Sequence, residues 1–197
     1  GIYQETELLC RMCGMKLAID AGHGMSNRKV WVYDPGAVAS TREGVVCEAD
    51  VALKYALTLK QLCVDGGMKC FLTRTSSADD CPVGGRAGRA EKLKCTHFIS
   101  LHLNAGPPAA HGIEVLYREK KDNILALRLH QNLVAVTCFR DRGIKERDDL
   151  AVLKFKRGPA VLIELGFISN KGDREYLMDR ENRIAICEEI LRTVATA

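Results

Sequence analysis

From Met15 onward the chain alternates short continuous apolar runs with longer segments of helical spacing. Lys16-Leu17-Ala18-Ile19-Asp20 is apolar up to a glycine-rich turn, the pattern of a buried strand feeding a loop. A long loop is expected next, passing through the turn signal Asp34-Pro35-Gly36-Ala37. From Glu48, the positions Val51, Leu53, Tyr55, Leu57, Leu59, Leu62 and Cys63 predict a helix that Gly66-Gly67 stops. Met68 to Thr73 reads as a second strand. Arg86 to Lys94 carries Ala87, Ala90 and Leu93 at helical spacing and leads into a third strand, Thr96 to His102. On that strand Phe98 and His102 share one face, while His97, Ile99 and Leu101 share the other. Ile113 to Tyr117 predicts another strand. Ile124 to Phe139 predicts an amphipathic helix with Leu127, Leu133 and Val134 inward. Pro159 to Glu164 reads as a buried strand, and Ile184, Cys187, Leu191 and Val194 mark the core stripe of a closing helix.

Strands alternating with helices predict an α/β fold: one domain with a mostly parallel twisted sheet and helices on both faces. The length of 197 residues with 47% apolar content agrees with a single core. That domain is expected over residues 15–197. Residues 1–14 show no clean period and read as a leader or appended remnant, with Met15 as the natural start. Their Cys10-x-x-Cys13 pair has no second pair or histidine partner and is a weak metal signal.

Composition narrows the setting. The nine cysteines are odd in number, and Cys63, Cys70, Cys95, Cys138 and Cys187 sit inside apolar patterns, so they read as small core residues of a reducing compartment. A net charge of +4, with acidic and basic residues interleaved in Arg140-Asp141-Arg142 and Lys145-Glu146-Arg147-Asp148-Asp149, describes a solvated surface rather than a nucleic-acid patch. No run approaches the ~20 apolar residues that span a bilayer, and the start lacks the pattern of a secretory signal. The expectation is a protein made in the cytoplasm, a monomer, with no nucleic-acid partner and no stable membrane insertion.

Open sheets of this kind bind ligands beyond the carboxyl ends of their strands. Four polar residues fall there. His23 lies just past the first strand, His102 ends the third, Glu164 ends a later one, and Glu48 opens the first helix. Two imidazoles and a carboxylate can hold zinc with one position open, and a further carboxylate can move protons. Magnesium and calcium prefer all-oxygen shells. The ordinary readings stand beside these: Glu48 as a carboxylate favoured at a helix start, Cys47 as a competing ligand, and Glu164 as half of a structural ion pair. Glu164 stands in the apolar run Val161-Leu162-Ile163-Glu164-Leu165, where desolvation would raise its pKa toward the range of a general base. His97, His111 and His130 read as surface or satisfied core histidines. There is no Gly-x-Ser-x-Gly elbow and no phosphate-binding Gly-x-x-x-x-Gly-Lys loop.

Several segments in order carry a resemblance. Leu17-Ala18-Ile19-Asp20-Ala21-Gly22-His23-Gly24, Asp34-Pro35-Gly36-Ala37, Glu48, Leu72-Thr73-Arg74, Arg89-Ala90, Ser100-Leu101-His102-Leu103-Asn104, Gly112-Ile113-Glu114-Val115 and the run from Pro159 to Asn170 resemble the zinc-dependent N-acetylmuramoyl-L-alanine amidases of the type 3 family. The resemblance implies a mixed, mostly parallel sheet, one zinc ion held by His23, Glu48 and His102, and Glu164 as the catalytic carboxylate. It also implies peptidoglycan as substrate, cut between N-acetylmuramic acid and L-alanine. Asn104 and the amides near Gly22 to Gly24 would help orient it. Leu103 stands where the family often has a small residue, and Cys81-Pro82-Val83-Gly84-Gly85 has no match to the pattern. With the small size and free thiols, the expected setting is a phage or prophage endolysin acting on the cell wall or periplasm. The alternatives are a bacterial cell-separation amidase and a non-catalytic peptidoglycan-binding relative.

Overall fold

The structure, a computed structural model, describes residues 14–197. The leader reading of residues 1–14 and the Cys10–Cys13 pair therefore lie, but for Gly14, outside the described residues. The first strand, β1 (Lys16–Ala21), takes its place because five successive residues from Leu17 to Ala21 are buried on both faces. It is followed by two short hairpins, β2 (Gly24–Met25) with β3 (Tyr33–Asp34) and β4 (Val38–Thr41) with β5 (Gly44–Cys47). These occupy the expected long loop. Their strands are two or four residues long and mostly half-exposed, which leaves too little alternation to read.

Helix α1 (Glu48–Asp65) runs its full predicted length, and β6 (Lys69–Leu72) follows. Then come α2 (Val83–Lys92), β7 (His97–Asn104), β8 (Ile113–Tyr117), α3 (Lys120–Thr137), β9 (Asp141–Glu146), a 3-10 turn (Ala151–Lys154), β10 (Ala160–Phe167), α4 (Lys171–Met178) and α5 (Arg180–Thr196). The main sheet has the order β6-β1-β7-β10-β8-β9. Its first four strands are mutually parallel, β8 is antiparallel to β10, and β9 is parallel to β8.

Both faces are covered, unequally. Leu17, Ile19, Ile99, Leu101, Val161 and Ile163 pack with apolar residues of α1, α3 and α5. On the other face Ala18, Phe98, Leu116 and Leu162 meet Ala87 and Ala90 of α2 and Val152 and Leu153 of the 3-10 turn. The single α/β domain with a mostly parallel sheet and helices on both faces is thus present.

Some local expectations shift. Helix α3 begins at Lys120, where Glu119 and Asp122 form a capping box. Its inward residues are Leu125, Leu129 and Leu133, while Leu127 is 41% exposed, one helical position away from the buried stripe. Cys63, Cys81, Cys95 and Cys187 are buried free thiols and Cys70 is half-buried, but Cys138 is exposed, because it closes α3 in the left-handed conformation at φ 54°. His130 is a core histidine with Nε2 2.6 Å from Asp141 Oδ1, but it is only half satisfied, because its buried Nδ1 has no partner among the described residues. The charged stretch around Arg142 is not only solvated surface: it forms β9, an edge strand whose charges discourage pairing with another chain.

Beneath the carboxyl end of β1 lies a fully buried ionic network. Asp20 accepts hydrogen bonds from Thr73 Oγ1 (2.7 Å), Arg86 Nη1 (2.9 Å) and Ser100 Oγ (2.6 Å). Burial works against ionisation of Asp20, yet the Arg86 charge and the two hydroxyls hold its carboxyl below the ordinary range. Arg86 also donates to the carbonyls of Ala21 (2.9 Å), His23 (2.7 Å) and Cys81 (2.9 Å). Arg86→Met removes one side of this pair and leaves Asp20 charged and unpaired. The expected cost is ~3–5 kcal/mol of unfolding free energy, read by denaturant titration. A loss below ~1 kcal/mol would show that the pair does not hold the fold.

Candidate active site

Each candidate side chain is delivered by a different element. His23 sits directly after β1 in the left-handed conformation (φ 61°), with Gly24 beside it at φ 96°. The turn leaves the sheet, so its carbonyls need donors. Besides Arg86, Arg74 supplies them, from Nε to Ala21 O (3.0 Å) and from Nη2 to Gly22 O (2.8 Å) and Ala49 O (2.7 Å). His102 stands near the end of β7, and Glu48 is the first residue of α1. Gly22 permits the approach of His102: a Cβ there would lie 2.5 Å from His102 Nε2. Gly36, at φ 66°, does the same for Glu48 and His23.

The donor atoms of His23, Glu48 and His102 all lie within 4.8 Å of one another. Glu48 Oε1 is 3.1 Å from His23 Nε2 and 2.8 Å from His102 Nδ1, and the two imidazoles meet edge to face at 4.9 Å. Two ligand atoms on one tetrahedral zinc are about 3.3 Å apart, so this set fits a shared ion without rearranging the backbone. Glu48 does not use its carboxylate to cap its own helix. Oε1 accepts the amide of Leu103 (3.0 Å) and Oε2 that of Ala37 (2.8 Å). Burial disfavours its ionised form, but His102 and His23 outweigh that and hold it well below the usual carboxylate range. Cys47 ends β5, paired with Val38, and is not among the converging groups.

Sequence reasoning missed Asp34 as a supporting group. Its Oδ2 is 3.0 Å from His23 Nδ1 and accepts from Asn27 Nδ2 (2.6 Å), while Oδ1 accepts the Gly36 amide (2.9 Å). A carboxylate on the far nitrogen of an imidazole fixes its tautomer and turns Nε2 toward Glu48. The Asp34-Pro35-Gly36 signal was visible, but only as a turn. Asn104 is placed otherwise than expected: its Nδ2 donates to Glu114 Oε1 (3.0 Å) and its Oδ1 accepts the Ala105 amide (2.9 Å), so both ends are engaged within the protein.

Glu164 stands beside His102 in the register of β10 and β7, on the same face of the sheet. It is half-buried, and its Oε2 is enclosed without any hydrogen-bond partner among the described residues. Burial, with Glu48 and Glu114 nearby, raises its pKa to about 7 against the opposing pull of His102 and His23. Glu164 is therefore not half of a structural ion pair. A convergent His-Glu-His set that could hold a metal ion, with a separate carboxylate of raised pKa beside it on an α/β sheet, is an arrangement suited to hydrolysis.

Known proteins narrow that class. A family model for N-acetylmuramoyl-L-alanine amidases matches residues 17–196. The amidase CwlM of Bacillus licheniformis is 29% identical over 174 residues, covering 83% of this chain and 60% of that protein. The catalytic domain of CwlV, an N-acetylmuramoyl-L-alanine amidase from Bacillus (Paenibacillus) polymyxa var. colistinus, superposes with a TM-score of 0.81 at 28% identity, covering 92% of this chain and 97% of that one. The catalytic domain of the CD27L endolysin targeting Clostridia difficile gives 0.72 at 25% identity, covering 92% and 97%. The chain belongs to the N-acetylmuramoyl-L-alanine amidase family and is an enzyme of that class. It spans little more than half the length of several curated relatives, 56% in the case of a Staphylococcus epidermidis relative.

Asp34→Ala frees the His23 ring, and zinc affinity is expected to fall by ~10–100-fold, as for other carboxylates behind a ligating histidine. Competition with a chromophoric chelator measures it, and unchanged affinity would deny Asp34 the orienting role.

Proposed function

We propose that residues 15–197 form a zinc-dependent catalytic domain that hydrolyses the amide between the lactyl group of N-acetylmuramic acid and the L-alanine of the peptidoglycan stem. His23, Glu48 and His102 would hold one zinc ion, and Glu164 would be the catalytic carboxylate. The observation that carries this reading is the unpartnered Glu164 carboxyl standing next to His102 on the same face of the sheet. When bound, zinc supplies Lewis acidity toward a carbonyl and toward water.

The chain's own residues account for the proton movements. Glu164, ionised, takes a proton from the attacking water and delivers it to the leaving alanine nitrogen. Its free Oε2 has no hydrogen bond to surrender before doing so. Glu48 cannot share that task, since both of its oxygens are already bonded and its carboxyl is held strongly ionised. Arg74, Arg86 and Asp34 position His23 through its turn and its Nδ1.

The setting we infer is a phage or prophage endolysin acting on the cell wall, a reading supported by the likeness to the CD27L catalytic domain. The closer likeness to CwlV favours a second setting, a bacterial cell-wall amidase. A neighbouring holin gene would favour the first. No helix among the described residues is long and apolar enough to cross a membrane. A non-catalytic binding role is disfavoured because all four groups are present.

Purified sacculi digested with and without chelator are expected to release free stem peptides only in the metal-loaded sample, identified by mass spectrometry. New glycan reducing ends would instead identify a glycosidase. Glu164→Gln is expected to keep zinc stoichiometry and lower kcat by ~10²–10⁴-fold. Wild-type release of stem peptides by this variant would remove Glu164 from the reaction. The reactive form is the carboxylate, so kcat/KM should rise with pH through the Glu164 pKa. Bound zinc moves that pKa below its value of about 7, placing the acid limb of the profile below neutrality. A wild-type profile that stays flat down to about pH 5 would contradict this assignment.

A further inference from the structure

The polar row that contains His102 and Glu164 does not end at Glu164. Glu114 of β8 lies directly opposite Glu164 in the antiparallel register, and so points to the same face. Beyond it, the β8–β9 register shifts between Ile113 and Val115, and Gly143 takes φ 77°. That bulge brings Arg142 and Lys145 of β9 onto one oxygen: Glu114 Oε2 accepts from Arg142 Nε (3.0 Å) and from Lys145 Nζ (2.6 Å). Two cations therefore face one buried carboxylate, leaving a net positive charge at this end of the row. Arg142 is also stacked over Phe167 at 4.8 Å, which fixes its plane. Lys145 is 47% exposed and has no other hydrogen bond among the described residues. Arg147, the next cation, just past the end of β9, is committed to Asp149 through two bonds of 2.7 Å.

Direction follows from the proposed chemistry, on which this inference rests. The acyl carbon must sit at the His-Glu-His end, and the leaving nitrogen must sit at Glu164. Continuing past Glu164 along the row leads away from the sugar and along the stem peptide. Neighbouring strands are ~4.8 Å apart, so an ammonium on Glu114 lies roughly 5–10 Å from Glu164. An extended peptide advances ~3.3–3.6 Å per residue, so groups on the second stem residue, ~7 Å beyond the leaving nitrogen, fall in that interval.

We propose that Lys145 and Arg142, held by Glu114, form a subsite for a free carboxylate of the stem peptide, and that Lys145 makes this enzyme prefer acidic over amidated stems. The shared chemistry is a carboxylate, which the second residue offers when unamidated and a diamino-acid third residue offers slightly further on. A charge-assisted hydrogen bond to an ammonium selects carboxylate over carboxamide by about tenfold.

The test compares kcat/KM on defined N-acetylmuramoyl tripeptides. One pair differs only in carboxylate against carboxamide at the second residue, and another only in lysine against a carboxylate-bearing diamino acid at the third. The wild type is expected to favour the carboxylate member of at least one pair by about tenfold, and the pair that responds identifies the source. Lys145→Met should bring that ratio close to one, and Lys145→Arg should restore it. A ratio is independent of how much of each variant folds. Equal ratios in wild type, or a wild-type ratio that survives in Lys145→Met, would overturn the subsite. Failure of the zinc-loaded wild type to cut any of the four would overturn the amidase reading itself.

Discussion

The site depends on one constraint: the chain must leave the sheet immediately after β1, yet remain anchored tightly enough for His23 to meet partners on two other elements. A turn at the end of a buried strand strands its carbonyls, and each unpaired one is costly. Here two buried arginines supply the donors, and Asp20 offsets the charge of one of them. Arg74 also reaches Ala49 in the first turn of α1, so the same guanidinium ties the turn carrying His23 to the helix carrying Glu48. Ser100, two residues before His102, holds the other oxygen of Asp20. The elements that bring the His-Glu-His set together are thus joined beneath it by charged groups that burial makes expensive to separate.

Two glutamates on the same rim, close enough that one charge acts on the other, have opposite fates, and the difference lies in their donors. Glu48 receives two backbone amides and faces both imidazoles, each favouring the anion. Glu164 is enclosed with one oxygen that nothing satisfies, and like charges stand on either side. Environments that drive two carboxyls apart in this way hold one as a fixed anion and leave the other able to change its protonation state. The division is set by backbone: the amides of Ala37 and Leu103 exist whatever the side chains are.

The strands that were readable from sequence are those buried on both faces, β1, β7, β8 and β10, because continuous apolar runs have no competing interpretation. Helix α1 was readable to its ends because Gly66-Gly67 stops it. Hairpins β2–β5 and edge strand β9 were not, since short half-exposed strands resemble loops. His102 and Glu164 were identifiable as polar residues inside apolar runs, and His23 by its place between two glycines just past a strand. Glu48 was legible only as one of two alternatives, because a carboxylate opening a helix is ordinary and what distinguishes it arrives from Ala37 and Leu103, 11 and 55 positions away. Arg86 was hidden more thoroughly: on a short helix it reads as solvent-facing, and its burial is set by Asp20, 66 residues earlier. Leu127 misled for a related reason, as the helix start four residues earlier shifts nothing in its spacing but the sheet selects a neighbouring stripe.

The strand order explains why the active edge carries more chemistry than a purely parallel sheet would place there. In such a sheet only carboxyl ends of strands reach the ligand side. Here β8 and β9 run the other way, so their starting residues arrive at the edge where β7 and β10 finish. Glu114 near the start of β8 and Arg142 near the start of β9 join His102 and Glu164 in one lateral row for that reason alone. The antiparallel pair also changes what the row can recognise. The His-Glu-His set makes the β1 side suited to a cation, whereas the β9 side ends in cations of its own. A substrate laid across the edge would therefore meet opposite charge preferences at its two ends, and the sheet topology would fix its orientation before any group reached Glu164 between them.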